Sequence, residues 1–215
     1  FAPRGSASPA GSIACLANRH RAPARRLRPL RSCRSVAILA VMSHARRLTR
    51  EDAPGLQSIR HESLCTEPRA FGATPEDCPF REIAAVEAHL ANPDRAVYGI
   101  ADPDRPERLV AMAGIIQETQ KKQRHRATIW GVYVSPGSRG RGLGRAVVEA
   151  CLDQAREWTG VDSVSLTVAA ERNAAKSLYE SLGFVTWGTD VDALRVDGMA
   201  VSLHYMLLKL SEGRR

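Results

Sequence analysis

The residues best suited to chemistry stand together in the second half of the chain. From Ser135 the sequence reads Ser-Pro-Gly-Ser-Arg-Gly-Arg-Gly-Leu-Gly-Arg, which sets Gly137, Gly140, Gly142 and Gly144 among Arg139, Arg141 and Arg145. Residues 127–134 before it are rich in Thr, Ile, Trp, Val and Tyr, a strand composition. After it, Leu143, Val147, Cys151, Ala155 and Trp158 recur at helical spacing. A strand therefore runs through a glycine loop into a helix. Glycines at such a junction let backbone N–H groups approach a ligand, and the unsatisfied N–H groups and positive dipole end of the helix attract phosphate. Two common phosphate motifs do not fit. A P-loop needs a lysine after its last glycine, and a dinucleotide fingerprint needs a glycine where Arg145 or Val147 stands.

The spacing that does match is R-x-x-G-x-G, over Arg139, Gly140, Arg141, Gly142, Leu143 and Gly144. With it the chain resembles the Gcn5-related N-acetyltransferases (GNAT), of which this is the pyrophosphate signature. A second stretch agrees: a strand over residues 163–168, then Asn173, a short helix containing Lys176 and Tyr179, and Gly183-Phe184, in the family's order and separation. The resemblance covers residues 42–210. It implies acetyl-coenzyme A (acetyl-CoA) as donor, no metal, and direct transfer to a primary amine in a ternary complex. It implies that Arg139, Gly140, Arg141, Gly142, Leu143, Gly144 and Arg145 hold the pyrophosphate, that Val132 and Val134 pair with pantetheine amides, and that Asn173 and Lys176 approach the cofactor. Tyr179 would protonate the departing thiolate. Plainer readings stand beside these: Asn173 caps its helix, Tyr179 packs in the core, and the arginines are solvated loop charges. Many relatives place a glutamate base on the fourth strand, but residues 127–134 hold no carboxylate or histidine. Glu118 and His125, flanking that strand and acting through water, are the candidate bases, beside an amine already deprotonated.

The elements that must position these residues alternate in type, which favours an α/β fold. Residues 44–48 read as a first strand, and Thr49 to Asp52 as a capping box opening a helix with Leu56, Ile59 and Leu64 inward. Thr74-Pro75-Glu76 carries the signals of a second helix start, with Ile83, Val86 and Leu90 on one face. Residues 95–101 and 108–118 read as strands joined by a turn at 102–106, and 201–210 as the last strand. The expected architecture is a GNAT-like mixed sheet of six to seven mostly antiparallel strands, with a parallel splayed pair at its centre and about four flanking helices.

The net charge is +8, but residues 1–41 hold eight of the 31 basic side chains and none of the 23 acids, leaving 23 of each from Met42 onward. The excess charge belongs to an Arg-rich leader, read as a mis-called start or a targeting presequence, and a nucleic-acid partner is disfavoured. Lys121, Lys122, Arg124 and His125 read as a solvated hairpin loop. No apolar run approaches membrane-spanning length. Five scattered cysteines without C-x-x-C spacing argue against disulfides and zinc and fit a reducing, cytoplasmic setting. A monomer or homodimer is expected. The acceptor is expected to be a small-molecule amine, framed by residues 65–74 and by a segment at 189–200 whose Asp190, Asp192 and Asp197 would favour a cation. A protein N-terminus or lysine is the second choice, and a non-catalytic acyl-CoA module the rival.

Overall fold

A computed structural model of the chain describes residues 44–210. The leader assigned to residues 1–41 lies outside them. Within them are strands β1 (Arg46–Arg47), β2 (Arg95–Asp102), β3 (Arg105–Gln117), β4 (Arg126–Val134), β5 (Ser163–Ala169), β6 (Val185–Val196) and β7 (Met199–Lys209). The α-helices are α1 (Ala53–Thr66), α2 (Ile83–Ala91), α3 (Leu143–Glu157) and α4 (Asn173–Ser181). The strands form one seven-stranded sheet in the order β1-β2-β3-β4-β5-β7-β6, antiparallel throughout except for the parallel pair β4 and β5. The expected mixed α/β architecture is the one observed.

Both faces of the sheet are covered, which is why β2 and β3 are apolar at successive positions rather than alternating. On one face α3 presents Leu143, Val147, Val148, Cys151 and Leu152 to a core shared with Ala96, Ile100, Ala113 and Ile115. On the other face α1 presents Leu56, Ile59 and Leu64 to Val97, Leu109 and Met112, with Val86 of α2. The capping box before α1 is made: the Asp52 carboxylate accepts the Thr49 backbone N–H at 2.8 Å.

The second helix begins later than its sequence signals suggest. Thr74 and Asp77 close a single turn by exchanging side-chain and backbone hydrogen bonds of 2.6 and 3.4 Å. Pro79 then forces Cys78 into an extended conformation (φ −65°, ψ 125°), so a regular helix starts only at Ile83. The segment at 189–200, expected as an open loop, is instead mostly strand: β6 and β7 form a long hairpin turning at Asp197 and Gly198.

Two features of the central strands shape the space beside them. β4 carries a bulge, because Met112 pairs with Tyr133 and Gly114 with Trp130, so Gly131 and Val132 together face Ala113. Gly131 takes φ +64°, a left-handed conformation that a side chain would strain. Next to it Gly114 lets the Trp130 indole lie flat across β3, since a Cβ at 114 would stand 2.2 Å from the ring. Trp130 also meets Phe80 and His89 edge-on, with ring centroids 5.6 and 5.2 Å away.

This packing has two measurable consequences. Gly114→Ala must displace Trp130, at a cost of roughly 1 to 3 kcal/mol, and should lower the unfolding temperature by several degrees in a thermal melt. His89 is buried, its Nδ1 3.2 Å from the Arg95 guanidinium, and desolvation reinforced by that charge pushes its pKa down to about 4. Between pH 6.5 and 4 the unfolded chain therefore takes up a proton that the folded chain refuses, so stability falls as pH falls. The slope is at most about 1.4 kcal/mol per pH unit. Denaturation midpoints measured across that window should decline for the native protein, with His89→Gln removing this share of the slope.

Candidate active site

The parallel pairing of β4 with β5 is short. Arg126, Ala127 and Thr128 pair with Ser163, Val164 and Ser165, and beyond them the strands diverge. Thr128 and Ser165 meet through their hydroxyls at 3.0 Å where the pairing ends. The wedge that opens is a cavity of about 580 Å³, walled by Ile129 to Val134 on one side and Leu166 to Ala169 on the other. Past the bulge, the edge of β4 facing β5 keeps backbone groups with no strand partner, ready to pair with an extended ligand.

The wedge runs to the glycine loop. Ser138, Arg139, Gly140, Gly142, Leu143 and Gly144 line it. Gly142 caps α3 at φ +76° and Gly140 stands at φ +75°, both with nothing within 4 Å of where a Cβ would be. That is the open backbone cradle at a helix N-terminus that a pyrophosphate requires. Gly144 brings α3 close to α4, a Cβ there lying 3.6 Å from Leu178 and 3.7 Å from Val134.

Tyr179 projects from α4 into the same wedge, 5% exposed, its ring edge-on to Phe184 at 6.0 Å between centroids. Burial raises its pKa, helped by the neighbouring Cys151, so it stays a protonated donor. Cys151 is fully buried in the α3 core, and burial likewise raises its thiol pKa. Among the described residues no cysteine lines the wedge.

Ion pairs tie the rim together. Glu67, just past α1, accepts from Arg139 Nη2 at 2.7 Å and from Arg172 before α4, while Arg139 Nε donates to the Val134 carbonyl at 3.1 Å. Arg69 holds Glu171 through hydrogen bonds of 2.9 and 3.1 Å. The Arg139 side chain thus braces the loop, while its backbone forms part of the cradle.

Of the residues singled out from the sequence, Val132, Val134, Arg139, Gly140, Gly142, Leu143, Gly144 and Tyr179 line one cavity. Arg141 and Arg145 do not line it, and Arg145, in the first turn of α3, is bonded to Glu149 and Ser181. Asn173 begins α4 without lining the wall, and Lys176 lies 3.6 Å from Glu180. Glu118 reaches the wedge only through the Thr128 hydroxyl, at 3.4 Å. His125 is exposed at the opposite end of β4, in a separate cavity with Trp187 and Lys209. Asp190, Asp192 and Asp197 line none of these walls, and Asp192 is held by Arg195. Sequence reasoning missed Glu67, Arg60 and the bulge at Gly131. A glycine inside a strand-like run was the one available signal for the bulge.

With this geometry in place, comparison with known proteins gives the class. The sequence profile of the acetyltransferase (GNAT) family matches residues 56–184, and the chain belongs to that family. That family is one of acetyltransferases. Among curated relatives, the mycothiol acetyltransferase of Beutenbergia cavernae is 48% identical over 132 residues, which is 60% of this chain and 42% of that protein. That of Renibacterium salmoninarum is 40% identical over 62 residues, 29% of this chain and 18% of that protein. The chain spans less than half the length of these relatives. Among solved structures, yncA from Salmonella typhimurium, described with acetyl-CoA as its cofactor, has a TM-score of 0.67 at 20% identity, covering 80% of this chain and 95% of that one. That likeness concerns the fold. Among the described residues no cluster of His, Cys, Asp or Glu could hold a metal ion, and no helix is long and apolar enough to cross a membrane.

Gly142→Val should abolish acetyl-CoA binding while leaving the protein folded, because valine is strained at φ +76° and its branches would fill the open cradle. Calorimetric titration alongside a thermal melt checks both halves; near-native affinity would remove the loop from the binding site.

Proposed function

We propose that the protein moves the acetyl group of acetyl-CoA onto a primary amine of a small molecule by direct attack in a ternary complex. The observation that carries this reading is the continuity of the wedge: one cavity joins the glycine cradle at the start of α3, the free edge of β4 and the buried Tyr179. Mycothiol acetyltransferases among the relatives favour a small-molecule acceptor over a protein one.

In this reading the backbone of residues 139–145 takes the pyrophosphate, with Gly140 and Gly142 giving the close approach. Val132 and Val134 offer the pantetheine amides a strand edge. Acetyl-CoA supplies a thioester carbonyl, which the amine nitrogen attacks. A C–N bond forms, and the backbone N–H groups after the Gly131 bulge stabilise the oxyanion. Collapse breaks the C–S bond, and Tyr179 gives its proton to the leaving thiolate and recovers one from solvent. The amine sheds its own proton to water. Direct transfer is favoured over a covalent acyl-enzyme because the wall holds no cysteine and Cys151 is sealed in the core. Glu118 remains the better placed of the two candidate bases, since the Thr128 hydroxyl links it to the wedge, whereas His125 faces away.

A thiol-release assay across a panel of small amines and short peptides tests this reading directly. Turnover with at least one small amine is expected, and Tyr179→Phe should lower it on the order of 10²-fold at saturating acceptor, with acetyl-CoA affinity and unfolding temperature nearly constant. Native turnover in the variant at every pH would remove Tyr179 as the acid. Binding of acetyl-CoA without turnover of any amine would replace the enzyme with a sensor.

A further inference from the structure

Arg60, on α1, is a buried cation without an anion. It is 9% exposed, its Nη1 has no hydrogen-bond partner, and it forms no ion pair with a described residue. Of the other arginines that line the wedge, Arg139 and Arg172 share the Glu67 carboxylate, and Arg69 nearby holds Glu171. The guanidinium lies against two aromatic faces, its carbon 4.8 Å from the Phe71 centroid and 5.8 Å from that of Trp130. Those faces recompense part of the lost hydration but accept no hydrogen bond along the guanidinium plane. A buried charge left in this state is costly to the fold, and such a cost is retained where a ligand supplies the counter-ion.

Its location says which ligand. Among the described residues, Arg60 alone lines both the wedge and a second cavity of about 480 Å³ on the α1 face, reached past His61, Phe80 and Arg81. The glycine cradle and Tyr179 belong to the core on the α3 face, whereas Trp130, Phe71 and α1 belong to the opposite one. A donor anchored at the start of α3 thus enters from one side and leaves the Arg60 side to the acceptor. Among the described residues no carboxylate lines the second cavity, so it does not suit an acceptor that is a bare polycation. Arg81 in that wall is engaged by the Glu76 backbone carbonyl, so Arg60 is the buried guanidinium shared by the two cavities, and its planar fork matches a carboxylate in bidentate fashion.

We infer that Arg60 is the acceptor-recognition residue, binding the carboxylate of an amino-acid-type amine so that its amino group faces the thioester at the β4 bulge. Gly131 lies beside the guanidinium, since a Cβ there would be in ordinary contact with Arg60 Nη1 at 3.7 Å. The inference rests on the proposed acetyl transfer for the reaction, and on Arg60 alone for the chemistry of the acceptor.

The test pairs acids with their carboxamides. In thiol release, free α-amino acids should exceed the matching amino-acid amides in kcat/KM by at least about tenfold in the native enzyme. That preference should collapse to about one in Arg60→Met, through KM more than kcat. Independently of turnover, calorimetry of N-acetyl amino acids against their amides, with coenzyme A present, should show the same preference in the native protein and its loss in the variant. The unfolding temperature of Arg60→Met should hold or rise, since an unpaired buried charge has been removed. Equal rates and equal binding for acids and amides in the native protein would overturn the inference, as would a variant that weakens both ligands equally or melts many degrees lower. Failure of acetyl-CoA to bind at all would instead strike the acetyltransferase reading, and the N-acetyl ligand titration without coenzyme A would still decide the role of Arg60.

Discussion

Two parallel strands that pair for three residues and then part are the constraint on which everything functional here depends. A sheet normally closes its backbone groups against its neighbours, and an unpaired edge in the interior would be costly. The divergence of β4 from β5 is tolerated because the bulge at Gly131 turns β4 away and because the gap is wide enough for a ligand or water to satisfy the exposed groups. The left-handed glycine makes the bulge, Gly114 gives Trp130 the room to lie beside it, and the Thr128–Ser165 contact closes the wedge at its narrow end. That one departure produces the cavity, its reach to the start of α3 and the access of Tyr179 to its interior.

Electrostatics then divide the wedge into two ends of different character. At the glycine end Arg139 and Arg172 share the single Glu67 carboxylate and are held by it on the rim, so phosphate is met at close range by backbone N–H groups and the α3 dipole. These are fixed in place and cost no side-chain entropy on binding. At the α1 end the buried cation is Arg60, flanked by aromatic rings and lacking a counter-ion among the described residues. A donor held by backbone and an acceptor held by a single guanidinium would meet at the bulge between them, each from its own face of the sheet.

Much of the scaffold was legible in the sequence because it is written locally. The glycine spacing, the helix-period apolar residues after Leu143 and the Thr49–Asp52 capping box are all short-range signals, and each lies where those signals put it. Local signals also mislead: Thr74-Pro75-Glu76 does make a capped turn, but Pro79 four residues on prevents its continuation. Residues 189–200 read as a loop because their acids and glycine suppress strand propensity, yet pairing with β7 overrides it.

The amino-acid sequence by itself determined the order of elements, the phosphate-type loop and the helix that carries Tyr179, because periodicity, capping and glycine placement act over a few neighbouring residues. Only the tertiary structure decided which charges are spent and which are free. Glu67 meets partners 72 and 105 residues away, and Arg60 on α1 meets Trp130 of β4 on the same face of the sheet. Such contacts are set by how far β4 bends at Gly131 and by what α1 packs against. In one dimension Arg60 is one arginine among many; burial in three, beside two rings and no carboxylate, is what sets it apart.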